Sequence, residues 1–76
     1  MAVEGKAVLV HIDGSRWRVD NTELNARTEG LDYRQSKRFD DKLVHPLAKW
    51  GSIVDGIDTG DGWLQTQVRS RRCWLK

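Results

Sequence analysis

Apolar and polar residues alternate with a period of two over most of this chain, the spacing of a half-buried β-strand. Ala7–Ile12 is the first such run, rich in β-branched side chains. Val8, Val10 and Ile12 fall on one face, and Ala7, Leu9 and His11 on the other. Asp13-Gly14 then gives a strong hairpin signal. Arg16–Asp20 returns, with Trp17 and Val19 alternating with Arg16 and Arg18. Gly30–Arg34 is a third short strand, with Leu31 and Tyr33 on one face. Ile53–Leu75 carries the clearest pattern: three strands joined by two turns, the first built from Gly60, Asp61 and Gly62. There Leu64, Thr66 and Val68 share one face, and Trp63, Gln65 and Gln67 the other. With Arg69–Arg72 as the second turn, Val68 faces Cys73 and Gln67 faces Trp74. Trp63 and Trp74 then share the outward face.

Strands are thus expected near 7–12, 16–20, 31–34, 52–58, 63–68 and 72–75. The expected inward set is Val8, Val10, Ile12, Trp17, Leu31, Tyr33, Val54, Leu64, Val68, Cys73 and Leu75. Residues 1–6 read as a flexible lead-in and 7–20 as an N-terminal hairpin. Asn21–Gly30 reads as a loop or short turn, with Asn21 placed to cap it. Gln35–Lys49 lacks pattern, and a connection that long is uncommon in a small domain unless it is functional. Phe39 and Leu43–Val44 are expected to pin it. A strand apolar on both faces is normally covered twice. The 7–20 hairpin is therefore also expected to offer a surface for a second copy of the chain.

Seventy-six residues make a single domain, 1–76. Thirteen basic and 11 acidic residues leave a formal net charge of +2, too mild to demand a nucleic-acid partner. Cys73 is the only cysteine, so no intramolecular disulfide can form. No cofactor or metal is expected, since His11 and His45 stand apart without cysteine companions. No signal peptide or membrane-spanning run stands out, and an intracellular setting is favoured. The four Trp make the chain tryptophan-rich for its size.

Leu31-Asp-Tyr-Arg-Gln-Ser36, then Gly51-x-x-Val54-x-Gly56 and Gly60-Asp61-Gly62-Trp63-Leu64, resemble the strand openings of bacterial-type SH3 (SH3b-like) domains. Arg72-Cys-Trp-Leu75 stands where their closing strand belongs. Ser36 and Arg72 occupy positions that are glycine in the pattern. The resemblance covers about Leu31–Leu75. It implies an all-β, SH3-like barrel with the 7–20 hairpin added and residues 31–75 as barrel core. It also implies a non-catalytic interaction role.

By that resemblance, Tyr33, Trp50, Trp63 and Trp74 would border an aromatic groove for a peptide or protein partner. Asp40 and Asp41 would supply acids beside it, or would simply pair with neighbouring cations. A second reading places nucleic acid on Arg69, Arg71 and Arg72, with Trp74 as a stacking ring. A third makes the chain a structural subunit of a larger assembly. Enzymatic chemistry is the least supported reading. Cys73 with His11 or His45 could form a dyad, but no third orienting group stands out.

Overall fold

The computed structural model describes every residue except Glu4, and the side chains of all the others except Val44 and His45. Expectations resting on those two side chains lie outside the described residues. The chain is all-β. Its strands are β1 (Ala2–Val3), β2 (Lys6–Ala7), β3 (Leu9–Asp13), β4 (Arg16–Val19), β5 (Gly30–Arg34), β6 (Lys42–Lys49), β7 (Ile53–Asp55), β8 (Ile57–Asp58), β9 (Leu64–Val68) and β10 (Arg71–Leu75).

The strands form three separate sheets: β1-β2, β3-β4-β7 and β6-β5-β10-β9-β8. All are open, so the expected SH3-like barrel is not the fold. The two larger sheets meet in the run expected as one strand over 52–58. It is cut at Gly56. β7 pairs with β4, placing Trp17 opposite Val54. β8 pairs instead with β9, placing Ile57 opposite Gln65. One segment therefore joins the two larger sheets, and the ring stays open at their far edges, β3 and β6.

Gly56 is required sterically. A Cβ there would stand 2.6 Å from the Leu64 side chain and 2.9 Å from Gln65 O. Its amide donates to Ser15 O at 2.7 Å. Its carbonyl accepts the buried Trp17 indole N–H at 3.2 Å. The two larger sheets share one core here: Leu9, Trp17 and Val19 from one side, Leu31, Ala48, Leu64 and Leu75 from the other, with Val8.

The facing of β3 is inverted relative to the sequence reading. Leu9 is buried opposite Val19, while Val10 pairs with the exposed Arg18 and Ile12 is exposed. A bulge sets Ile12 and Asp13 together against Arg16. Val8 is buried just before the strand, its amide donating to Met1 O. Ahead of it, β1 and β2 pair, and the Met1 ammonium donates to Leu9 O at 2.9 Å.

The Gln35–Lys49 stretch is only half a loop. β6 pairs with β5 through Leu31 and Ala48, then loses register before Lys42 meets Arg34. β6 lies at the sheet edge, the place where a strand tolerates Pro46. That proline and the broken register conceal the strand from a periodicity count. Between β4 and β5, Asn21 stitches a turn by accepting from the Ala26 amide and donating to the Ala26 carbonyl, at 2.7 and 2.9 Å.

The last hairpin is tighter than expected. Its turn is Arg69-Ser70, both at positive φ (52° and 66°), and Val68 faces Arg71 rather than Cys73. Thr66 pairs with Cys73 and Gln65 with Trp74. The slip is two residues, so the facing of each side chain is unchanged.

Gly56→Ala is expected to lower the unfolding free energy by about 1–3 kcal/mol through overpacking against Leu64, read from urea midpoints. Ser70→Gly is expected to act oppositely, on the order of 1 kcal/mol, by removing a left-handed non-glycine residue.

Candidate functional site

Strand parity decides the fate of the expected groove. In β9 and β10, Thr66, Cys73 and Leu75 face the core, while Trp74 and Gln65 face away. Arg34 is the register partner of Trp74. Tyr33, its neighbour in β5, therefore lies on the opposite face of the sheet. Burial pushes the Tyr33 phenol up, with Cys73 adding to the shift. Trp50 is elsewhere again, packed against the core, with its indole N–H donating to Thr28 O at 2.9 Å. The rings expected to act together are thus dispersed.

The two rings on the outward face are covered. Phe39 folds onto Trp63 with ring centroids 5.3 Å apart. Lys76 Nζ lies 5.1 Å from the Trp63 ring, which is only 7 % exposed. Lys37 Nζ stands 4.6 Å over Trp74. No open aromatic cluster is present among the described residues, and the peptide groove expected from the sequence is corrected on that ground. The four tryptophans occupy separate places and give the chain no tryptophan-rich surface.

What covers the rings is the loop from Gln35 to Asp41. Lys37 forms an ion pair with Asp61. Ser36 donates to the Asp41 carboxylate at 2.6 Å, and the Gln35 amide donates to Asp41 O. Asp40 pairs with Arg38 at 3.0 Å, with both side chains largely exposed. Asp40 and Asp41 therefore serve the loop itself. Surface pairs of this kind contribute about 0–1 kcal/mol each.

Asp61 is the loop's anchor. It accepts from Lys37, from the Thr59 hydroxyl and from the Trp63 amide. The Lys37 hydrogen bond is the main cause that holds its carboxyl well below the usual range, followed by that from Thr59.

The cations proposed for nucleic acid are less organised. Arg69 and Ser70 form the turn, and Arg71 and Arg72 alternate faces of β10 while exposed. Arg71 and Arg72 border a recess of about 380 Å³ with Gln35 and Leu43. The Trp74 ring that would stack a base carries Lys37. The stacking platform of that reading is already occupied. His11 lies 4.8 Å from the Trp17 ring, with Nε2 2.9 Å from Gly14 O. Cys73 is a free, buried thiol in the other large sheet.

Two features escaped the sequence reading. One is the outer face of β3-β4-β7, where Val10, Arg18 and Ile53 form a row across the three strands. A second row sets Ile12 and Asp13 against Arg16, and Arg16 against Asp55. Ile53 is 48 % exposed, and Ile57 beyond the Gly56 corner is 61 % exposed. A cleft of about 570 Å³ runs beside β7 and β8, lined by Ile53, Ile57, Tyr33 and Gln67 among others. The other feature is Arg34, a cation buried in β5. A third strand pairing with the 7–20 hairpin would have signalled the first. Nothing in the local pattern signals the second.

No protein-family model, curated protein or solved structure matches the chain. No helix among the described residues is long and apolar enough to cross a membrane.

Acid is expected to loosen the loop. Because the Asp61 carboxyl is depressed in the folded chain, its contribution is complete above the ordinary value of 3.8 and is lost as pH falls through the depressed one. Trp63 and Trp74 indole N–H shifts should therefore move below about pH 4, and Asp61→Asn should remove that dependence.

Proposed function

We propose that the chain is a non-catalytic interaction module that pairs with a second copy of itself through the outer face of β3-β4-β7. The observation that carries this reading is the row of Val10, Arg18 and Ile53 across three strands. Val10 and Ile53 flank Arg18, with the exposed Ile12 in the next row. The 7–20 hairpin contributes two of those strands, and β7 contributes the third.

The charges on the face suit a copy of itself. In a two-fold interface each patch meets its own image, so the patch must be self-complementary. Arg16 and Arg18 stand among Asp13, Asp20 and Asp55. Arg16 Nε lies 3.1 Å from Asp13, and Arg18 lies 3.8 Å from Asp20. These pairs are solvent-exposed enough to exchange partners across an interface. A face of one sign would repel its image. The isoleucines supply the apolar part, which is the larger contribution to association.

The non-catalytic part rests on the engagement of the two candidate groups. His11 is tied to its own hairpin turn, and Cys73 is enclosed in the core of the other sheet. A reducing compartment belongs to the same reading, since Cys73 stands free and buried.

Sedimentation equilibrium over a concentration series is the test. The expected result is a monomer–dimer equilibrium in the micromolar range. Ile53→Lys should weaken it tenfold or more while leaving the far-UV CD spectrum unchanged. Leu9→Lys is not a usable variant, because Leu9 is 2 % exposed and its loss would unfold the core. A chain that stays monomeric at high micromolar concentration overturns the reading.

A further inference from the structure

We infer that the cleft between β7 and β9 receives an extended segment of a partner polypeptide, which adds to the free edge of β7 as a strand and sets a basic side chain against Asp55. β7 is an edge of the three-stranded sheet. In an antiparallel ladder, alternate residues turn their main-chain groups to the same side. The Gly56 amide donates to Ser15 O, so Gly56 and Val54 turn toward β4. Ile53 and Asp55 turn the other way, where no strand meets them.

The far wall repeats the arrangement. The Thr59 amide donates to Trp63 O, so Trp63, Gln65 and Gln67 turn toward β8. The β8 pairing stops at Gln65, opposite Ile57. Continued past the corner, the same ladder would set Asp55 opposite Gln67. Instead the chain turns at Gly56 and Asp55 pairs with Arg16 of β4. A side chain spans the gap: the Thr66 hydroxyl donates to Asp55 O at 2.7 Å. Ile53 N–H and C=O, Asp55 N–H and the Gln67 main chain have no strand partner on this side among the described residues. Such an edge accepts an extended peptide through main-chain hydrogen bonds.

The gap is the cleft of about 570 Å³. Its side chains set the chemistry of the occupant. Ile53 and Ile57 are well exposed, as are Asp55 and Gln67, while Val54 and Tyr33 are half-buried. Among the described residues Asp55 is the only charged one lining it, and no Lys or Arg does. The Asp55 carboxylate accepts from the Ser15 hydroxyl at 3.2 Å. None of the described cations lies within ion-pair distance of it. Arg16, opposite in register, is held by Asp13 at 3.1 Å. The cleft thus offers apolar surface and one uncompensated negative charge.

Every strand pairing among the described residues is antiparallel. A strand added in that sense reads, along its own direction, a basic residue opposite Asp55, an apolar residue opposite Val54 and an apolar residue opposite Ile53. The first and third share one face, and the second lies on the other.

This inference goes beyond self-association, which uses the outer face of the sheet and not its edge. The Ile53 side chain borders both, so the experiment must separate them.

The probe is acetyl-Thr-Lys-Val-Val-Thr-amide, titrated into the whole chain and followed by the amide N–H resonances. Saturable shifts at Ile53 and Asp55, with slowed hydrogen exchange of the Ile53 amide, are expected. Replacing the probe's lysine by glutamate should weaken binding about threefold or more, the scale of an exposed ion pair. N-methylation of the second valine, whose N–H would reach Ile53 O, should weaken it about tenfold or more through loss of a main-chain hydrogen bond. N-methylation of the first valine, whose N–H turns away from β7, should weaken it less. Val10→Lys breaks the outer-face row away from the cleft and should bind the probe as the native chain does. Native chain that binds the probe yet stays monomeric would sink self-association and support this inference. Four results overturn it: no movement of the Ile53 and Asp55 amides at hundredfold excess of probe, indifference to the lysine, equal weakening by the two N-methyl groups, or loss of binding in folded Val10→Lys.

Discussion

The chain's architecture turns on the corner at Gly56. The segment from Ile53 to Asp58 leaves one sheet and enters another there, and only a residue without Cβ can pass so close to Leu64. The corner is fixed on both sides by hydrogen bonds. Its amide goes to the β3–β4 turn and its carbonyl takes the Trp17 indole. Without those bonds two buried backbone groups would be left unpaired, each at a cost of about 1–3 kcal/mol. Trp17 is buried in the shared core, so the same residue packs the core and holds the corner. The corner joins the two larger sheets, and the fold stays open at their far edges, where β3 and β6 remain edge strands.

The outward face of the larger sheet shows how a small domain manages rings that its core cannot hold. Trp63 and Trp74 lie on the side away from the interior. They are covered by one short loop carrying Phe39 and Lys37, with Lys76 from the end of the chain. Cations against aromatic faces contribute about 0.5–1 kcal/mol each at exposed sites. The loop is held by Asp61, whose carboxylate collects donors from three directions. Surface that could have been a stacking platform is used to complete the fold.

The proposed self-association uses a surface that this arrangement does not cover. The outer face of the three-stranded sheet combines isoleucines with charges of both signs. That composition suits its own image.

Much of the local structure was legible in the sequence. The Asp13-Gly14 hairpin, the turn at Gly60–Gly62 and the alternation in Leu64–Val68 each rest on neighbours within a few residues. So does the placing of Trp63 and Trp74 on one outward face. Parity of that kind survives even a register error of two, as the Arg69-Ser70 turn shows. The facing of β3 was not legible, because both of its faces are apolar and Leu9 or Val10 could equally have turned inward. β6 was hidden by Pro46, which is tolerated only because the strand is at an edge. Position at an edge is a property of the sheet, not of the strand. The SH3-like pattern matched turns and strand openings, which many β folds share, whereas closure depends on which strands meet. The groove failed for the same reason: Tyr33 and Arg34 are adjacent in sequence, and only the pairing of Arg34 with Trp74 shows that Tyr33 faces the other way. The Phe39 ring likewise reaches the Arg34 guanidinium only because the loop after β5 folds back over the sheet.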